Sequence, residues 1–215
     1  LAEKLTDKIF CSVPEAFPFK TKKLTLIGQG IDTDFFKPAE AERKSNKILY
    51  LGRMSPIKKI DLFLEAISEF KKCQSQQYNI IDIEIVGGPS NKDDDGYVVF
   101  LKNLAVDLGI SEKIQWSGRV PHHQTAVIFQ EADVVVNLTP TGSFDKAMLE
   151  AMACGAVLLS SNRVWLKFFD DELQELLLFR QDDMHDLALK LSRVLNLDGA
   201  VKSELRQKLR DIIVN

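Results

Sequence analysis

Apolar residues fall along this chain with two alternating periods. Short apolar runs stand at ILYL (48–51), IDIEIV (81–86), IQWSG (114–118), DVVVNL (133–138), AVLLS (156–160) and ELLLF (175–179). Runs of four to six such residues, bounded by turn residues, predict strands buried on both faces. Between them the apolar positions recur every three or four residues, which predicts helices. Ile60, Phe63, Leu64, Ile67 and Phe70 share one helical face, and Leu101, Leu104, Ala105 and Leu108 share another that ends at Gly109. Residues 121–131 predict a short helix and 145–154 a buried one. Met184, Leu187, Ala188, Leu191 and Val194 form an amphipathic stripe, and Val201, Leu205, Leu209 and Ile212 form the last.

The first 47 residues are less regular. Residues 1–13 predict a short helix and a short strand, and Pro14–Lys23 a linker. LTLIGQG (24–30) reads as a buried strand closing on a Gly-x-Gly turn, and AEAERKSNK as a solvated loop. Strands alternating with helices of 10–15 residues mean βαβ units. The expected class is α/β: a Rossmann-like, doubly wound parallel sheet with helices on both faces. In such sheets ligands sit beyond the carboxyl ends of the strands. That rule selects the loops 28–32, 52–59, 87–95 and 139–145, with 118–120 as a fifth.

The stretch 137–155, NLTPTGSFDKAMLEAMACG, carries the first chemical signal. Glu150 stands among Ala147, Met148, Leu149, Ala151, Met152 and Ala153 on a helix apolar on nearly every side. A carboxylate in that setting needs a partner. The turn before it aims backbone N–H groups and a positive helix end at the same space, which suits phosphate. One reading is a nucleotide pocket, with Glu150 for sugar hydroxyls and the turn for phosphate. The other is a Glu paired with a local Lys or Arg for structure alone. A second signal is the GRMSPIKK turn, where Arg53 follows Gly52 at a strand end and Lys58 or Lys59 stands near a helix start. Two cations so placed can clamp a diphosphate.

Other chemistries are disfavoured. Gly28-Gln29-Gly30 lacks the third glycine of a dinucleotide fingerprint, so no nicotinamide or flavin is expected, and no GKS or GKT follows a glycine loop. Asp93, Asp94 and Asp95 precede a helix, where they serve as caps better than as a metal site. His122 and His123 are adjacent and read as surface or first-turn polar residues, and His185 lies on a polar helix face. Charge is nearly balanced, 28 basic against 31 acidic residues, so nothing points to nucleic acid. No apolar run approaches the ~18 residues that span a bilayer. Cys11, Cys73 and Cys154 are odd in number and widely spaced, as thiols in a reducing cytoplasm are. At 215 residues one large domain is expected, and a start at Leu1 inside a helical pattern fits a piece of a longer protein.

Together these segments resemble the retaining glycosyltransferases of the large group 1 (family 4) class. ILYLGRMSPIKKIDLFLEAI is similar to that family's glycine-arginine…lysine segment, and IGQGIDTDFFKP to its connection into the C-terminal domain. WSGRVPHHQTAVIFQEADVVVNLTP and GSFDKAMLEAMACGAVLLSS resemble its next two segments, in order and spacing. The resemblance implies a GT-B architecture, of which this chain is the C-terminal, donor-binding half. Residues 1–20 would be the end of the N-terminal domain with the linker, and 21–215 the nucleotide-sugar-binding domain. It further implies that Arg53 and Lys58 hold the donor diphosphate and that Glu150 binds the ribose. Gly52, Arg119 and Val120 would line the nucleotide, while Ser143, Phe144, Asp145 and Lys146 would meet phosphate or sugar. No metal or other cofactor is implied. The acceptor, a saccharide or lipid, would be bound through the absent N-terminal domain, with membrane association a property of that half. The family's first signature Glu is Gly142 here. Asp145 or Lys146 is then expected to supply sugar contacts, or else the domain binds nucleotide without transfer. A sugar-nucleotide epimerase of related fold is a further alternative, which the GRM…K and LEAMACG segments disfavour.

Overall fold

The computed structural model describes residues 2–17, 19–40, 46–140 and 145–214. In chain order these form α1 (Ala2–Leu5), β1 (Ile9–Cys11), β2 (Leu24–Leu26), β3 (Asn46–Leu51), α2 (Ile60–Cys73), α3 (Ser75–Asn79) and β4 (Ile81–Val86). There follow α4 (Asp95–Asp107), β5 (Ile114–Gly118), α5 (His122–Glu131), β6 (Val134–Asn137), α6 (Lys146–Ala153) and β7 (Val157–Ser160). The chain ends in α7 (Asp171–Leu177), α8 (Met184–Leu195) and α9 (Gly199–Val214).

Five strands form one parallel sheet in the order β5-β4-β3-β6-β7. The chain starts in the middle at β3, winds outward through β4 and β5, then returns to β6 and winds the other way. This is the doubly wound arrangement expected, with α2, α4 and α8 packed together in one helical layer and α5, α6 and α9 in the other. Because both faces are covered, β6 and β7 are buried at every position. All five stripe residues of α2, from Ile60 to Phe70, have no exposed surface. Burial of such side chains contributes roughly 2 kcal/mol each, so this single stripe accounts for a large share of the driving force on its face.

Two expectations fail. LTLIGQG is not a buried strand of this sheet: β2 pairs in parallel with β1 alone, and Leu26 and Ile27 are exposed. ELLLF is not a strand either. Asp170 caps a helix there, accepting from the Leu173 N–H at 2.9 Å, and α7 runs through Leu177. Beyond it Leu178 bridges Ser160, and the Phe179 N–H donates to the Ser160 carbonyl at 3.1 Å. The capping aspartate and the acidic first turn outweighed the strand propensity of the apolar run.

The last helix is tied to the sheet by charge. Asp133, at the entrance to β6, is buried and receives Lys202 Nζ at 3.1 Å and an Arg206 guanidinium N–H. Arg210 donates to the Ala153 carbonyl at the end of α6. Burial lowers the pKa of Lys202, so the ammonium depends on this carboxylate. Removing one member of a buried pair strands the other charge. Asp133→Ala should therefore lose about 3 kcal/mol in urea denaturation; a loss within the error of the measurement would show that α9 holds without the cluster.

Candidate functional site

Three strand ends are stitched together at the carboxyl edge of the sheet. Gly52 donates to the Val86 carbonyl (3.0 Å), Met54 to Gly88 (2.8 Å) and Gly87 to Gly118 (2.7 Å). The backbones approach so closely that a Cβ on Gly87 would lie 1.8 Å from the Gly52 carbonyl oxygen, and Gly87 has φ +140°. No other residue type fits there. Beyond these ends opens a cavity of about 420 Å³, lined among others by Gly52, Arg53, Gly88, Arg119, Val120 and Thr125. Arg119 is held by donating to the Pro89 carbonyl. Four of the expected site residues thus share one concave wall.

A second group meets where the winding reverses, between β3 and β6. Lys58 Nζ donates to Thr139 Oγ1 at 2.8 Å and stands 3.7 Å from Asp145 Oδ2. Asn137, the polar end of β6, donates to both Thr139 and Asp145 at 3.2 Å. Buried Tyr50 lies against this group. Burial first, then the Asp145 carboxylate, push its hydroxyl well above the usual tyrosine range, so it stays neutral and donates to the Arg53 carbonyl. At the start of α2 the Ile60 and Asp61 N–H groups donate to Tyr97 Oη.

The third group runs along α6. Glu150 is 3% exposed, and its Oε1 lies 3.0 Å from His122 Nε2 and 3.7 Å from Lys146 Nζ. His122 itself is largely exposed and packs edge-on against Phe36. Asp145, Lys146, Glu150 and His122 therefore form one polar line. It runs from Lys58 toward α5, whose Thr125 borders the cavity. His122 is exposed in the first turn of α5, as the sequence suggests; what the sequence does not show is that it is also the nearer partner of Glu150. For Asn137 and Thr139 the signal in the sequence is a lone Asn closing the otherwise apolar run VVVN.

Other expectations meet mixed outcomes. Gly142, Ser143 and Phe144 lie outside the described residues. The loop 28–32 does not join the others: it borders a separate cavity of about 370 Å³ with Trp165, Phe168 and Ile212, because β2 does not belong to the main sheet. Asp94 accepts from the Ser90 N–H while Asn91 caps the turn that leads into α4. Among the described residues no group of three His, Cys, Asp or Glu side chains is arranged to hold a metal ion. Nor is any described helix long and apolar enough to cross a membrane.

Comparison with known proteins agrees with this fold. The sequence family described as "Glycosyl transferases group 1" matches residues 31–212. A D-inositol 3-phosphate glycosyltransferase of Frankia alni is 28% identical over 148 residues, covering 65% of this chain and 36% of that protein. This chain spans about a third of the length of such curated relatives. Among solved structures, an Anabaena protein crystallised with UDP and glucose superposes with a TM-score of 0.81. It is 14% identical, covering 99% of this chain and 59% of that chain. The C-terminal domain of a group 1 family glycosyl transferase from Francisella tularensis gives 0.73 at 20% identity, covering 86% of this chain and 96% of that one. At these identities the structural likeness concerns the fold.

The Gly87 contact yields a direct test of the cavity floor. Gly87→Ala should cost about 3 kcal/mol or more, since strain at φ +140° adds to a clash with backbone. Chemical denaturation measures it, and a variant as stable as the parent would mean the strand ends do not approach so closely.

Proposed function

The chain belongs to the group 1 glycosyl transferases, and from that premise we propose that it is the C-terminal, donor-binding domain of a retaining enzyme. Its donor is a nucleoside diphosphate sugar, and the group transferred is a hexosyl unit passed to a saccharide or lipid acceptor. The observation that carries this reading is the continuity of the site. A cavity walled by Gly52, Arg53, Arg119 and Val120 is bordered by Thr125 of α5, the helix whose His122 starts the polar line through Glu150 and Asp145 to Lys58. The parts of the site match those of a nucleotide sugar: a cavity for the base, a buried carboxylate for the ribose and two cations for the diphosphate.

In this reading the base enters the cavity against Val120, with Arg119 over it. Glu150 accepts from the ribose hydroxyls. His122 holds one of its oxygens, and Lys146 tempers the charge. Arg53 and Lys58 face the diphosphate. As the bond from the anomeric carbon to the diphosphate oxygen breaks and the bond to the acceptor hydroxyl forms, negative charge grows on the departing group. Preorganised cations there lower the barrier most. These side chains supply the neutralisation, and we assign no divalent metal. Asp145 and Lys146, with Ser143 and Phe144, meet the sugar. The acceptor and the group that takes its proton belong to the remainder of a longer protein, so the 215 residues alone bind donor without turnover.

Calorimetric titration with UDP, GDP and ADP tests the site. One nucleotide should bind best. Glu150→Ala and Lys58→Ala should each weaken it about tenfold or more, the loss of a charge-assisted contact being worth roughly 1.5–3 kcal/mol. Binding that both variants leave intact would place the nucleotide elsewhere.

A further inference from the structure

We infer that Asn137 is a positioning residue for the diphosphate-facing lysine, and that it sets how strongly the site prefers a diphosphate to a monophosphate. The inference rests on the donor-site reading above. Asn137 closes a strand that is otherwise entirely valine, and it is 3% exposed. A buried amide there is costly unless both its ends are satisfied. Both are. The Asn162 N–H donates to Ser160 Oγ at 3.1 Å, which leaves the Ser160 hydroxyl proton to go to Asn137 Oδ1 at 3.0 Å. The amide is thereby fixed with its nitrogen toward the site.

From that nitrogen the bonds run one way. Asn137 Nδ2 donates to Asp145 Oδ2 and to Thr139 Oγ1, both at 3.2 Å. Thr139 already accepts from Asn137 and from Lys58, so its own proton goes to Asp145 Oδ2, also 3.2 Å away. Two neutral donors therefore converge on the oxygen of Asp145 that faces Lys58. They hold the carboxylate 3.7 Å from the ammonium, beyond direct hydrogen-bond range. Lys58 is bonded to Thr139 instead and keeps its charge for an incoming phosphate. Without Asn137 the carboxylate loses a donor on its lysine-facing oxygen and closes on Lys58. The pair then competes with the terminal phosphate of the donor.

The consequence is separable from general loss of structure. A nucleoside monophosphate uses the cavity and Glu150, whereas a diphosphate also uses Lys58. The probes are the best-binding nucleotide among UDP, GDP and ADP and its own monophosphate, titrated into the 215-residue chain and its variants. Asn137→Leu should lower the diphosphate-over-monophosphate affinity ratio about tenfold, with monophosphate affinity nearly unchanged. Ser160→Ala, which frees the amide to turn over, should lower the ratio in the same sense and serves if the leucine variant does not fold. Parallel loss of both affinities would mark a merely structural residue and overturn the inference, as would an unchanged ratio. Lys58→Ala is the control. If it keeps the parent's ratio, or if the parent binds none of the nucleotides, the donor-site reading itself fails rather than the role of Asn137.

Discussion

Reversal of winding between β3 and β6 is the constraint on which the site depends. At that point two neighbouring strands send their chains to opposite faces, so their carboxyl ends diverge and leave a crevice. The GRMSPIKK turn enters it from β3 and the segment after Asn137 enters it from β6. A lysine and a threonine 81 residues apart in sequence meet there at 2.8 Å. Without the reversal, Lys58 and Asp145 would have no reason to be neighbours, and the basic turn would be a solvated loop.

Around that crevice the molecule concentrates polar groups in otherwise apolar elements. Asn137 and Ser160 end valine- and leucine-rich strands, and Glu150 sits in a helix of alanine, methionine and leucine. Each would destabilise the core if left alone. Each instead finds partners that only the tertiary fold supplies: Ser160 for Asn137, His122 for Glu150. The buried Asp133 with Lys202 and Arg206 is built on the same principle, but at the opposite end of β6. There it ties α9 to the sheet, while Asn137 at the carboxyl end, 3% exposed, bonds Thr139 and Asp145 beside Lys58. One strand thus carries a buried ion-pair cluster at its entrance and a hydrogen-bonded polar cluster at its exit.

Much of this was legible in the sequence, for a physical reason. Strands covered on both faces are mostly apolar, so the strands of the main sheet stand out in the sequence, although β4 carries Asp82 and Glu84 and the edge strand β5 is partly exposed. The helical stripes that cover them stand out likewise. A buried carboxylate at Glu150 and a cation pair after Gly52 also stood out against their surroundings. What stayed hidden was pairing. His122 lies 28 residues before Glu150, and nothing in local spacing shows that α5 and α6 bring them together. ELLLF was misread because its apolar run drew more weight than the Asp170 cap in front of it. LTLIGQG has the composition of a central strand, whereas among the described residues β2 pairs with β1. Apolar runs report burial propensity; they do not report which sheet a strand joins.

Backbone amide chemical shifts, followed while the preferred nucleoside diphosphate is titrated into the isotope-labelled chain, show directly whether one ligand spans the stitched strand ends and the winding reversal together. The largest shifts should fall at residues 52–58, 87–90, 118–122 and 145–150, with α9 and the β1–β2 sheet unmoved. Shifts concentrated instead around 28–33 and 165–168, at the second cavity, would contradict that placement.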